Sequence, residues 1–328
     1  MVLLSAVVLI LALALDRWHG EPPVRFHPVV WMGNYLGWVG ARIAPLAGPD
    51  PVEGPDYKAF SLGVLAWSAG AATVFVVAWI FQSACLRLLD AGWMASAIAA
   101  ALLGLALKPL LAWAMLKSEV LAVEAALGQS LAAGRERLSW LVSRDVMVLT
   151  EAQVRESAIE SLAENLNDSV IAPIFWFLLL GLPGAALYRF ANTADAMWGY
   201  PGDYKGRHWQ WAGKWAARVD DVLSWVPARI TAGLLALVAI STARMSLATL
   251  RVEAARTPSP NSGWPMAAMA LGLGVCLHKP GIYALNAPGR APEAADTLKA
   301  ILYASKVVQV LVVIALLAII FVVIGVIR

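Results

Sequence analysis

Four stretches of this chain are apolar over the length of a membrane-crossing helix, which takes about 17–25 residues. They are Phe60–Phe81, Trp93–Leu116, Ile230–Leu250 and Val307–Ile327. In hydrocarbon the backbone must satisfy its own hydrogen bonds, which restricts how such stretches can fold. Charged residues make up 14% of the chain, against roughly 25% in soluble domains. The reading is an all-α, polytopic integral membrane protein with about four spans, partly inserted helices and large polar helical loops, taken as one domain over 1–328. Lys108 and Arg244 interrupt two spans and are expected near their ends or facing protein.

Two further apolar stretches are shorter. Val2–Leu15 has the length of a signal-peptide core but lacks a basic start and an Ala-x-Ala site, so it reads as a retained membrane-associated helix. The stretch 170–187 contains Pro173, Gly181, Pro183 and Gly184. The polar segments 117–169 and 188–229 on either side of it are both rich in Lys and Arg, which favours the cytoplasm for each. The simplest resolution is that 170–187 does not fully cross.

A net charge of +3 without a basic run interleaved with aromatics gives no footprint for nucleic acid. Cys85 and Cys276 stand alone, without disulfide or thiolate-metal spacing. Gly-rich nucleotide signatures and nucleophile motifs are absent. The unusual residues sit in the polar segments, whereas a transporter places them inside its spans.

The most unusual run carries carboxylates at Glu156, Glu160, Glu164 and Asp168. Four-residue spacing places them in one drifting stripe on a helix, where like charges repel. The one nearby base is Arg155, while Asn165 and Asn167 add amides. A stripe of one sign beside an apolar run calls for a cation, a cationic ligand or partner Arg and Lys residues. Glu164 and Asp168 have the spacing to share one hard cation such as Mg2+.

Four other segments carry polar constellations. His19, Arg25 and His27 lie in a proline-stiffened stretch that suits an anion and an ordinary connection equally. Asn192 and Asp195 share a helix face that Gly199 is placed to end. Lys214, Arg218, Asp220 and Asp221 mix charges at short range, with Pro227 expected to stop their helix and Arg229 just beyond. The run from Pro258 to Pro265, with Ser259, Asn261 and Trp264, reads as a rigid loop that exposes amides.

Taken together these residues closely resemble the membrane-bound cobalamin biosynthesis family CobD/CbiB. The resemblance rests on Glu160-Ser161-Leu162-Ala163-Glu164-Asn165 with Asp168 and Pro173, and on Asn192-Thr193 with Asp195, Met197, Gly199 and Tyr200. It extends through Ala217-Arg218 with Asp220-Asp221, Pro227-Ala228-Arg229 and Ser259-Pro260-Asn261-Ser262-Gly263-Trp264-Pro265, and through the early Asp16 to Gly33 segment. Ala194, Ala196, Trp198 and Ser224-Trp225 depart from the family pattern.

The resemblance implies adenosylcobinamide-phosphate synthase activity. In that reaction an aminopropanol, or its phosphate, is joined as an amide to the free propionate of adenosylcobyric acid, with ATP and Mg2+ as cofactors. It implies the bacterial cytoplasmic membrane, with the active-site loops in the cytoplasm. Its partners are those two substrates, the bilayer, and other copies of the chain or other pathway enzymes. The roles expected on this basis put Glu164 and Asp168 on metal, helped by Asn192 or Asp195, with Asn165 beside them. Glu160 is the expected base, while Arg218, Asp221 and Arg229 hold phosphate. His27, Ser259, Asn261 and Trp264 border the corrin. The competing reading is a non-catalytic membrane subunit that scaffolds the pathway and holds the corrinoid, supported by the missing nucleotide motif.

Overall fold

The computed structural model describes residues 2–48, 54–239 and 245–327. In chain order its first four helices are α1 (Val2–His19), α2 (Pro28–Ile43), α3 (Tyr57–Arg87) and α4 (Trp93–Leu107). Next come α5 (Trp113–Leu127), α6 (Leu131–Leu138), α7 (Glu151–Leu166), α8 (Ala172–Leu180) and α9 (Leu182–Trp198). A small hairpin of β1 (Asp203–Tyr204) and β2 (Arg207–His208) precedes α10 (Lys214–Val238), α11 (Leu247–Ala254) and α12 (Gly263–Leu273). A second hairpin, β3 (Leu277–Lys279) and β4 (Tyr283–Leu285), leads into α13 (Ala294–Ile327).

Among the described residues, five helical stretches are long and apolar enough to cross a membrane: Val2–His19, Tyr57–Ala91, Trp93–Leu127, Lys214–Val238 and Ala294–Gly325. The first contains the shorter run expected to insert only in part. The third is interrupted by a 3-10 turn at Lys108–Leu110, where Pro109 withholds a backbone donor. The expected span Ile230–Leu250 is described as helix to Val238, and Arg244 lies outside the described residues.

One expectation is corrected here: Pro227 does not stop its helix, since α10 runs on to Val238. Proline at this position leaves the Leu223 carbonyl without its usual intrahelical partner. The indole Nε1 of Trp176 donates to that oxygen at 3.0 Å. The stretch 170–187 is not a single helix. A π turn over Asn167–Ile171 joins α7 to α8, and Gly181 separates α8 from α9. Gly181 has a φ of +71°, and a Cβ there would meet the Gln82 side chain at 2.3 Å. Gln82 Oε1 accepts the Leu182 amide proton at 2.7 Å, capping the new helix.

The chain is read above as one domain, and its contacts group into two compact units, neither a continuous stretch. The first comprises residues 1–111 and 172–223, the second 112–171 and 224–328. In the first, α9 packs on α2, α3 and α8, and α1 packs on α4. Trp67 meets Phe190 edge-on at 5.9 Å between ring centroids, and Trp198 stacks on Trp209. In the second, α7 packs against α5, α6, α12, α13 and β3. A capping box of Thr150 and Gln153 starts α7, and Val154, Ala158, Ile159, Leu162 and Leu166 are fully buried along it.

Candidate active site

Burial on so many sides puts the carboxylate stripe of α7 inside the second unit. Glu156 and Glu160 are both buried, at 3% and 5% exposure. Arg155 does not neutralise them. Its guanidinium holds Glu124 of α5 at 2.9–3.1 Å and Glu151 at 2.7 Å, and Thr297 of α13 donates to the same Glu124. The partners that do reach the stripe come from elsewhere in the chain.

Glu156 Oε2 pairs with Nδ1 of His278 and accepts the His278 backbone N–H at 3.2 Å. Burial raises the Glu156 carboxyl above its ordinary value, against the pull of His278. Glu160 Oε2 lies 3.2 Å from Nη2 of Arg144, which also donates to Ser157 Oγ at 2.5 Å. Burial raises Glu160 too, over the opposing charges of Arg144 and Lys279. Its second oxygen, Oε1, is buried without a close hydrogen-bond partner among the described residues, and the Tyr283 hydroxyl is the donor turned toward the carboxylate.

Glu160 borders a polar cavity of about 190 Å3. Ser157, Ser161, Glu164 and Asn165 of α7 line it from one side, and Ser143 and Arg144 from the loop before α7. Lys279 and Tyr283 of the second hairpin and Met266 of α12 complete it. The cavity therefore faces two carboxylates, a guanidinium and an ammonium, and Lys279 makes no ion pair of its own among the described residues. Burial, followed by the charges of Glu160 and Glu164, pushes the Tyr283 hydroxyl well above its ordinary range, so it stays a neutral donor. Asn165 donates from Nδ2 to Ser161 O at 2.9 Å.

Of the stripe expected from sequence, the structure brings Glu160, Glu164 and Asn165 to this cavity. Asp168 sits in the π turn and is not among the lining residues. The wider turn breaks the four-residue register that would align it with Glu164. Asp168 accepts from Asn167 Nδ2 at 2.7 Å, and Asn167 Oδ1 accepts from Thr231 of α10.

Arg229, Ser259, Asn261 and Trp264 form a second cluster in the same unit. The Arg229 guanidinium lies between the Trp225 and Trp264 rings, 4.1 and 4.7 Å from their centroids. It donates to the carbonyls of Trp225 and Pro260 and to Asn261 Oδ1. Ser259 Oγ accepts the backbone N–H groups of Asn261 and Ser262. Arg229 thus binds the loop itself, through several of its donors.

The remaining residues singled out from sequence belong to the first unit. His27 caps α2, accepting from Val29 N at Nδ1, and its Nε2 lies 3.1 Å from Glu21. Glu21 is 2.8 Å from Lys108, which lies 3.6 Å from Asp16. Asn192 Oδ1 accepts from Arg189 at 3.5 Å, and the Asp195 backbone carbonyl accepts from Gly199, which closes α9. Arg218 and Asp221 stand one turn apart on α10.

Arg144, Lys279, Tyr283, Ser157 and His278 escape a reading of the sequence. Each lies in an unremarkable local context, and what called for them was only the uncompensated charge of the stripe. Both cysteines are free, and no group of three or more metal-ligating side chains is present among the described residues.

The chain is similar to known proteins over most of its length. The family described as CobD/Cbib protein matches residues 9–324. A probable cobalamin biosynthesis protein CobD of Methanothermobacter thermautotrophicus is 40% identical over 289 residues, 86% of each chain. The cobalamin biosynthesis protein CobD of Chromobacterium violaceum is 40% identical over 275 residues, 83% of this chain and 81% of its own. A probable CobD of Pyrococcus abyssi is 36% identical over 302 residues, 90% of each chain. No solved structure matches.

Proposed function

The chain belongs to the CobD/CbiB protein family of cobalamin biosynthesis, and from that premise we propose that it is an amide-forming ligase. The reaction joins aminopropanol, as its phosphate, to the free propionate of adenosylcobyric acid. The observation that carries this reading is Glu160, a buried carboxylate with one oxygen lacking a close partner, on a small cavity that also presents two cations. A buried unsatisfied carboxylate oxygen is costly, and an ammonium donor offsets that cost.

The cavity's size favours the small substrate. About 190 Å3 is below the roughly 300–1,000 Å3 of pockets that enclose drug-sized ligands, and far below a corrin. A short amine with an anionic group matches the lining at both ends. Glu160 and Glu164 accept N–H bonds from the ammonium, and Arg144 and Lys279 hold the phosphate. Tyr283 donates from its neutral hydroxyl. An amine attacks only after losing a proton, and a carboxyl raised by burial is a better base near neutrality than an ordinary one. Glu160 takes that proton.

ATP with Mg2+, when bound, supplies the activation of the propionate carboxylate. Mg2+ shared with phosphates is commonly held by one or two carboxylates. Glu164 fits as such a donor, and Asp168 is the candidate second donor beyond the π turn. The Lys and Arg residues of 117–169 favour the cytoplasmic side for α7, in a cytoplasmic membrane.

Detergent-purified protein incubated with adenosylcobyric acid, aminopropanol phosphate, ATP and Mg2+ is expected to form the amide, read as product mass. The Glu164→Gln variant is expected to form none. A wild type that binds corrinoid but makes no amide would replace the ligase with a scaffold subunit.

A further inference from the structure

The second hairpin reaches the cavity from a distant part of the chain, and its attachment is uneven. Its base is fixed: Leu277 and Leu285 are fully buried. Asn286 N donates to Glu253 Oε2 at 2.7 Å, and Asn286 Nδ2 donates to Val275 O at 3.0 Å. Its tip is free: Pro280, Gly281 and Ile282 are exposed, and Gly281 turns the chain at a φ of +73°. Between base and tip, Lys279 opposite Tyr283 forms the pair that lines the cavity. Lys279 has no ion pair among the described residues, and Tyr283 turns its hydroxyl toward Glu160 beside a 4.0 Å contact to Met266 Sδ. The tie that fixes the strand itself at this height is one residue away. There the buried Glu156 of α7 takes both the backbone N–H and the ring Nδ1 of His278 on a single oxygen.

We propose that the hairpin is a latched wall of the polar cavity, and that His278, held by Glu156, is the positioning residue that keeps Lys279 and Tyr283 turned toward the carboxylates of α7. A two-stranded hairpin is marginal by itself, so a wall built from one needs an anchor beyond its base. His278 supplies it without touching the substrate. Its side chain is 34% exposed while Glu156 is at 4%, so the latch closes from the solvent side onto a fixed buried acceptor. The proposal rests on the reading that this cavity takes the amine.

The test uses the full-length protein in detergent as wild type, His278→Ala and His278→Asn. Asn places a side-chain N–H near the position of Nδ1 and keeps the bond to Glu156. Hydrogen exchange over 277–285, without ligand, is expected to accelerate roughly tenfold in His278→Ala, as loss of one charge-assisted bond implies. Exchange in α7 should stay unchanged, and His278→Asn should remain within about threefold of wild type. Unchanged hairpin exchange in His278→Ala, or equal acceleration across α7 and α12, overturns the latch. In the same proteins the KM for aminopropanol phosphate is expected to rise roughly tenfold in His278→Ala, with kcat within about twofold. An unchanged KM beside a loosened hairpin overturns the positioning role. The predicted exchange difference between the variants, beside a wild type that binds no aminopropanol phosphate, sinks the ligase reading and leaves the latch standing.

Discussion

The first unit encloses about 570 Å3 between α2, α3, α4 and α9, lined by Trp31, Tyr35, Phe81, Phe190 and aliphatic side chains. The second encloses about 190 Å3 beside α7, lined mostly by hydroxyls, amides and charges. The larger cavity is made of apolar side chains of its four helices, of which α3 and α4 belong to membrane-length segments, so it requires no compensating partners. The smaller one holds carboxylates that no neighbour in sequence neutralises. It exists because Arg144, His278 and Lys279 are brought to α7. Polar groups in the first unit follow a third pattern: Asp16, Glu21 and His27 of one polar stretch meet Lys108, which interrupts an apolar span, at 2.8–3.6 Å. Apolar volume thus comes with the spans, whereas an open carboxylate in a low-dielectric setting has to be assembled.

If Glu160 acts on the amine, Glu160→Gln lowers single-turnover amide formation by roughly 10²–10⁴-fold, measured as product mass. A loss under about fivefold removes it from the chemistry and makes the second cavity as passive as the first. Lys108→Met takes the cation from buried Asp16 and half-buried Glu21 and is expected to cost about 3–5 kcal/mol, read as a lowered thermal midpoint. Adding Asp16→Asn should recover part of it. No recovery would show that Lys108 contributes packing and not charge. Gly70 lines the apolar cavity, where a Cβ would meet Phe190 Cζ at 2.4 Å and Tyr35 Cε1 at 2.6 Å. Gly70→Ala therefore costs about 1–3 kcal/mol, with the KM for aminopropanol phosphate unchanged.

The smallest effect is in pH. Burial holds Glu160 above its ordinary value of 4.5, so it binds its proton more tightly folded than unfolded. The stability this gives is present below pH 4.5 and is lost as pH rises through the raised folded value. Glu156 has the same sign. Gln at 160 has no such proton to lose. The thermal midpoint of Glu160→Gln relative to wild type should therefore climb with pH from 4.5 upward, by about 2 °C. A relative midpoint that falls as pH rises would mean the carboxylate is fully paired and the cavity closed.

Much of the fold was legible in the chain. The apolar stretches gave the membrane helices, the four-residue spacing gave α7, and Gly199 was correctly placed at the end of α9. Pro227 misled because the rule that proline ends a helix assumes an orphaned carbonyl, and here Trp176 supplies that carbonyl with a donor. The alignment of Asp168 with Glu164 assumed 3.6 residues per turn throughout, and the π turn does not keep it. Hydrophobic periodicity is a local property, so sequence by itself determined the helices, the membrane setting and the demand for counter-charge along α7. Which partners answer that demand depends on contacts spanning up to 122 positions, as between Glu156 and His278. Only the tertiary structure decided that, because Coulomb attraction and hydrogen bonding act on distance in space and leave no periodic trace along the chain.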